Sequence, residues 1–263
     1  MHQLIQLSER IWYMDLDYAT DRPNLGYIQG DELSLMFDCG ASPAHVSDFM
    51  GLLNAHGLPL PKMAALSHWH WDHALGMAAL KKQGIPVIAC RQTDVVLGQV
   101  SSWEWTEEAM RERLRTGEEI LFCDDFIRKE YRGDLSAIPR FCRADVVFEE
   151  EKTLDLGGVT AQLIRVGGPH SEDSVVCYVS EEKFVFLADS AGKDLYGIPW
   201  DYDPNDQAAS DLAMERMPDD PARLKRYREA LERLDFECCL KGHAPCSSRS
   251  ELMKELQERE ARL

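Results

Sequence analysis

His68-Trp69-His70-Trp71-Asp72-His73 places three imidazoles and one carboxylate within six residues, just after the apolar run Met63-Ala64-Ala65-Leu66. That run reads as a buried strand. Imidazole and carboxylate are the groups that zinc, iron and manganese accept from proteins. In an extended segment, residues two apart point the same way, so His68 and His70 converge on one point. Asp72 and His73 fall where the chain turns into a helix read from Ala74 to Lys82, which brings two more donors from another side. Four such groups side by side gain nothing without a cation to share them.

Three later positions extend the pattern. His170 lies in Gly167-Gly168-Pro169-His170-Ser171, after a strand pattern from Val159 to Val166. Asp189 closes the apolar run Phe184-Val185-Phe186-Leu187-Ala188, and His243 follows Cys238-Cys239-Leu240 in Lys241-Gly242-His243. Strand ends are where open sheets display functional groups. Singly, each has a plain structural explanation, since Asp and His are common in turns and caps. In this order they form a set.

The order His-x-His-x-Asp-His, distant His, Asp, His resembles the metallo-β-lactamase fold superfamily, over most of the chain. Asp38, in Leu35-Met36-Phe37-Asp38-Cys39-Gly40, also matches the family's early Asp-x-Gly turn, which supports the metal loop. The resemblance implies an α/β (α+β) chain folded as a four-layer αββα sandwich. It implies two divalent ions, zinc first, with iron or manganese as alternatives. His68, His70 and His170 would hold one ion, Asp72, His73 and His243 the second, and Asp189 would bridge them. Such a pair makes hydroxide available at neutral pH and stabilises a developing oxyanion. Asp72, ligand and hydrogen-bond acceptor at once, is the expected proton acceptor. Gly-x-Ser-x-Gly, the mark of a serine nucleophile on a competing fold, does not occur.

Fold does not name the reaction. True β-lactamases commonly carry Cys where Asp189 stands, and diiron oxygen-reducing relatives carry Glu where His70 stands. The carboxylate bridge resembles lactonases, glyoxalase II-type thioesterases and phosphodiesterases. The expectation is a dinuclear metal-dependent hydrolase in which a metal-bridging hydroxide attacks a small ester, thioester or lactone. The alternatives are a phosphodiesterase, or a mono-iron sulfur dioxygenase of the same fold.

Composition agrees. A chain of 263 residues with 44% hydrophobic content buries a substantial core and fits a single domain over 1–263. The formal net charge of −17, with no basic run, argues against nucleic acid as a partner and leaves a small-molecule substrate. No apolar run approaches the ~18–20 residues that span a bilayer, and Met1-His2-Gln3-Leu4-Ile5 lacks the pattern of an export signal. The expected location is the cytoplasm, away from membranes. The eight cysteines are scattered, with Cys39, Cys90 and Cys177 inside apolar strands, and read as buried thiols. Cys238 and Cys239 should point to opposite faces of one strand.

Hairpins are read at Leu4–Leu7 with Ile11–Met14, and at Asn24–Gln29 with Leu33–Phe37. Ser42 and Pro43 open a helix that stops at Gly57, and Pro221–Leu234 and a capping box at Ser248–Glu251 start two more. From Asp94 to Asp145 the strand pattern stops. Two helices are read there, Thr106–Arg115 and Glu118–Tyr131, as a helical insertion at about 94–145. It serves either as a cap over the metals or as the surface of a homodimer. Trp103, Trp105, Lys193 and Tyr196 are the expected substrate-pocket residues, joined by the segment from Tyr196 to Tyr202; Phe122 and Tyr131 are further aromatic candidates.

Overall fold

The structure is a computed structural model that describes residues 2–197 and 219–263. Ile198 to Tyr202, expected along the pocket, lie outside the described residues. Seven strands form the first sheet in chain order: β1 (Leu4–Gln6), β2 (Ile11–Met14), β3 (Leu25–Gln29), β4 (Ser34–Phe37), β5 (Met63–Ala65), β6 (Val87–Cys90) and β7 (Val146–Phe148). Pairing is antiparallel as far as β4 and parallel from β4 to β7. The second sheet comprises β8 (Glu151–Asp155), β9 (Thr160–Arg165), β10 (Val175–Val179), β11 (Phe184–Ala188), β12 (Cys238–Lys241) and β13 (Ser247–Ser248). Its order is β13-β12-β11-β10-β9-β8, antiparallel except where β11 meets β12.

Both faces of each sheet are covered, which explains the near-continuous apolar strands. Leu35 and Phe37 of β4 and Cys177 and Phe186 of the second sheet point into the layer between the sheets. Phe37 and Phe186 meet there with ring centroids 5.7 Å apart, and each fully buried ring contributes roughly 1.5–3 kcal/mol. The alternate residues point outward. Met36 and Ala64 pack under Val46, Phe49 and Leu53 of α1 (Pro43–Ala55), while Val176 and Val185 pack under α7 (Pro221–Glu232) and α8 (Arg249–Glu260). The result is helix, sheet, sheet, helix, as expected.

Local signals behave as read. Ser42 Oγ accepts the His45 N–H at 3.0 Å with Pro43 opening α1, and Ser248 and Glu251 close a reciprocal capping box on α8. Cys238 is exposed while Cys239 is buried, and all eight cysteines are free. Among the described residues no helix is long and apolar enough to cross a membrane.

Several boundaries differ from the sequence reading. The single helix expected from Ala74 to Lys82 is two, α2 (Trp71–Ala74) and α3 (Met77–Lys82). They break at Gly76, where a Cβ would stand 2.0 Å from the Cys39 carbonyl oxygen. The insertion begins at Arg91, and α4 (Arg91–Val100) precedes the two expected helices, α5 (Glu107–Thr116) and α6 (Leu121–Glu130). Asp94 is a buried residue of α4, held by the guanidinium of Arg143 and by Ala144 N–H at 2.9 Å. The whole insertion is the crossover between parallel neighbours β6 and β7. Strand β8 was not expected, because Glu151-Lys152-Thr153-Leu154-Asp155 is an edge strand with little buried on either face.

Candidate metal centre and pocket

Four chain segments deliver the donors to one end of the sandwich. The first leaves β5, where Asp38 fixes the path: its N–H donates to Ala65 O at 2.8 Å and its Oδ1 accepts Ser67 N–H at 2.9 Å. Asp38 does this from the left-handed region, φ 69°, which Asp tolerates better than most residues. Val175 N–H bonds Ser67 O at 2.8 Å, tying the loop to the second sheet. The other segments are the turn before β10, the end of β11 and the end of β12. Ala188, directly before Asp189, is also left-handed, φ 46°. Gly242 is obligatory beside His243, since a Cβ there would meet Asp189 Oδ1 at 2.1 Å.

The ligand atoms gather in two groups. His68, His70 and His170 form one, and Asp72, His73, Asp189 and His243 the other, each with one ligand atom per residue within 4.8 Å of the rest. His70 Nδ1 lies 3.0 Å from His68 Nε2 and 2.9 Å from His170 Nε2. Asp189 Oδ2 is 3.3 Å from both His73 Nε2 and His243 Nε2 and 3.7 Å from His170 Nε2, so one oxygen stands between the groups. Asp72 Oδ2 is 2.9 Å from His73 Nε2 and 3.1 Å from His243 Nε2.

The outer nitrogens are held by other partners. His73 Nδ1 donates to Asp38 Oδ2 at 2.9 Å, and His170 Nδ1 to Lys193 O at 2.7 Å. His68 Nδ1 meets Ser67 Oγ at 2.9 Å, and His243 Nδ1 is 3.4 Å from Asp21 Oδ1. Such partners fix which nitrogen faces inward. Burial, reinforced by neighbouring imidazoles, keeps His68 and His70 well below the usual histidine range and therefore neutral. Burial alone would also lower His73 and His243, but the carboxylates of Asp72, Asp38, Asp189 and Asp21 hold both well above it. In return, and against their own burial, His73 and His243 hold Asp72 and Asp189 well below the carboxylate range.

This donor set fits divalent metal ions. Three imidazoles crowd nitrogen to nitrogen, and His73 Nε2 is buried beside two carboxylate oxygens without a well-directed hydrogen bond. Cations between these atoms would satisfy every one of them. The identity of the metal is not fixed by the geometry, because imidazole and carboxylate suit several.

The donors open onto a cavity of about 360 Å³. Its floor is His70, Asp72, His170, Asp189 and His243. Its walls include Tyr18 and Asp21 on one side and Phe122, Cys123 and Phe126 of α6 on the other, with Lys193 and Tyr196 completing it. Lys193 and Tyr196, read from the sequence as pocket residues, line this cavity. Trp103 and Trp105 do not line it. The Arg113 guanidinium lies over both rings, at 4.6 and 5.0 Å, Phe141 meets Trp103 edge-on and Trp105 at a tilt, and Trp105 Nε1–H bonds Pro139 O at 2.9 Å. They form an aromatic layer behind Trp69 rather than the wall. Tyr131 is buried with its hydroxyl on Ala41 O, away from the cavity.

Residues that the sequence did not single out also meet here. Asp21, at φ 55°, stands against His243, and burial pushes its carboxyl up to about 7. Asn24 clamps the His243 loop, its side chain donating to Lys241 O and Ala244 O at 2.8 Å. Glu119, 5% exposed, accepts the Tyr196 hydroxyl at 2.8 Å.

The model of the metallo-beta-lactamase superfamily matches residues 20–224. Among solved structures, a metallo-beta-lactamase from Pontibacter korlensis is similar at a TM-score of 0.66 and 17% identity, covering 100% of both chains. FIM-1 from Pseudomonas aeruginosa, in its mono-zinc form, is similar at 0.63 and 14%, covering 99% of this chain and 95% of its own. A metallo-beta-lactamase from Hirschia baltica follows at 0.59 and 16%, covering 98% and 97%. At such identities the likeness speaks for the fold. No curated protein matches the sequence significantly.

Proposed function

Since this chain belongs to the metallo-beta-lactamase superfamily, we propose that it is a dinuclear metal-dependent hydrolase of a small ester, thioester or lactone with an apolar acyl group. The observation that carries the proposal is a single one: two converging donor groups meet at Asp189 Oδ2 and open directly onto a cavity lined by Phe122, Phe126, Leu195 and Tyr196. Divalent ions held by His68, His70 and His170, and by Asp72, His73, Asp189 and His243, would supply Lewis acidity and bring the pKa of a water down to roughly 7. Zinc suits this mixture of imidazole and carboxylate.

The chain's own residues do the rest. Asp72, kept ionised by His73 and His243, accepts the proton that the attacking water gives up. The α6 side chains hold the acyl group and exclude bulk water, which strengthens every electrostatic contact inside. Lys193, on the wall, places an ammonium near a substrate carboxylate or the charge that develops during attack. This makes the insertion a cap. The acidic surface, net charge −17, favours such substrates over nucleic acid.

Metal content and turnover test the reading together. Purified metal-replete protein should contain two ions per chain and hydrolyse members of a panel of lactones, thioesters and phosphodiesters, with carbonyl substrates fastest. Saturation at one ion, or turnover of phosphodiesters alone, would overturn it.

A further inference from the structure

Glu119 lies on the short link between α5 and α6, where its backbone N–H bonds Arg113 O at 3.2 Å. Its Oε1 accepts Ile120 N–H at 3.0 Å and the Tyr196 hydroxyl at 2.8 Å. Tyr196 sits on the 3₁₀ turn Leu195–Gly197 that follows Asp189. Its ring is 5.4 Å from His70 and 5.6 Å from Trp69, its hydroxyl is 3.9 Å from Cys123 Sγ, and it lines the cavity. The carboxyl of the cap is therefore one side chain behind the cavity wall, with a phenol between it and the ligand cluster.

A phenol has one hydrogen to give and lone pairs to receive, while a carboxylate only accepts and a carboxylic acid also donates. We propose that Glu119 is a positioning residue that decides where the Tyr196 hydroxyl donates. Protonated, its O–H serves the phenol oxygen and frees the Tyr196 hydrogen for a substrate oxygen in the cavity. Ionised, it takes that hydrogen for itself. This rests on reading the cavity as the substrate site.

The surroundings poise the carboxyl for such a role. Burial pushes it up to about 7, partly offset by the bonds from Ile120, Tyr196 and Cys123 and by the charge of Arg113. The groups facing it are Arg113 from α5, Cys123 from α6 and Tyr196 from the turn. Arg113 gives it only distant help. That guanidinium bonds Glu104 O at 2.9 Å, stacks on Trp103 and Trp105, and also faces Glu118 and Asp124.

The test uses the zinc-loaded enzyme and needs no turnover. With ¹³C at glutamate side-chain carboxyls, the resonance missing from Glu119→Gln should titrate between about pH 6 and 8. Tyr196→Phe, which removes a donor to the ionised form, should raise that midpoint by about half a unit or more. A midpoint in the ordinary carboxylate range, or one that ignores Tyr196→Phe, overturns the proposal. Benzohydroxamate then serves as the probe, measured calorimetrically. The ratio of its Kd in wild type to that in Glu119→Gln should be near one at about pH 6 and grow about three- to tenfold by about pH 8, the worth of one hydrogen bond. A flat ratio overturns it as well. If no ester, thioester or lactone is hydrolysed, the proposed function fails while both of these measurements keep their meaning.

Discussion

The ligand loops and the helical cap face each other across one cavity and are built by opposite means. On the ligand side, polar atoms dominate, backbones are left-handed at Asp21, Asp38 and Ala188, and ring nitrogens of His68 and His170 crowd to within 3.0 Å of His70 Nδ1. Conformational strain of about 1–3 kcal/mol per such residue persists only where surrounding structure over-determines it. On the cap side, Phe122, Cys123 and Phe126 come from one helix with no left-handed residue, and the carboxyl of Glu119 is withdrawn behind a tyrosine. The difference teaches where tolerance to change should lie: the ligand side acts all-or-none, the cap by degrees.

The sharpest way to break that contrast is Asp72→Ala. It removes a donor and the proton acceptor, and leaves His73 and His243 without the carboxylate between them. We expect kcat/KM to fall by at least about a thousandfold with one ion lost on elemental analysis. Near-wild-type turnover with both ions retained would show that the ligand side also acts by degrees. Gly242→Ala comes next. Its Cβ would displace Asp189, so metal affinity should weaken about 10–100-fold, as when supporting contacts of a ligand are lost, in a competition titration with a chelator.

Phe126→Ala tests the cap. The ring is 8% exposed, so stability should drop by about 3 kcal/mol in denaturant unfolding. KM for substrates with apolar acyl groups should rise roughly tenfold, the equivalent of one or two lost methylenes' burial, with metal content unchanged. Loss of metal here would mean that the two sides are not separable. The effect confined to one pH window concerns Glu119 and stability. Burial pushes its carboxyl up to about 7 from the ordinary glutamate value of 4.5, so the folded state holds the proton more tightly. Wild-type stability from this group is then full below about pH 4.5, declines as pH rises to about 7, and stays low above, by up to about 3 kcal/mol. Glu119→Gln removes the decline, so the variant should gain on wild type between about pH 5 and 8 in urea midpoints. Parallel midpoints at both would show that the carboxyl is not held neutral.

The contrast also explains what was legible in the sequence. His68 to His73 are readable because four cation ligands in one short stretch have no other use, and His170, Asp189 and His243 because apolar strands end at each. The sandwich is readable through the resemblance that the ligand order carries and through two sets of apolar runs flanked by helical patterns; which strand residues face the layer between the sheets is not, because Leu35, Met36 and Phe37 are all apolar and all buried. Asp21, Asn24 and Glu119 were invisible, since each is an ordinary polar residue until folding supplies a distant partner; Asn24 and Lys241 are 217 residues apart. Strand β8 carries charge on an edge and shows no apolar pattern. The place of Trp103 and Trp105 behind the cavity was not legible, because aromatic content says nothing of which face a loop presents. The cation that claims them, Arg113, comes from a separate helix.

The hydrogen bond from Val175 N–H to Ser67 O has a consequence for the order of events in time. It joins the loop of the first sheet to the second, and no ligand group is complete within either sheet. A chain still assembling offers a cation only fragments: the cluster from His68 to His73 without His170, Asp189 or His243. Pairings this remote form late, since their loop-closure entropy must be met first. Metal capture should therefore be among the last steps of refolding, lagging the far-ultraviolet signal and coinciding with burial of Phe37 against Phe186. Ions that bind only the finished site would slow unfolding and leave the early folding rate untouched.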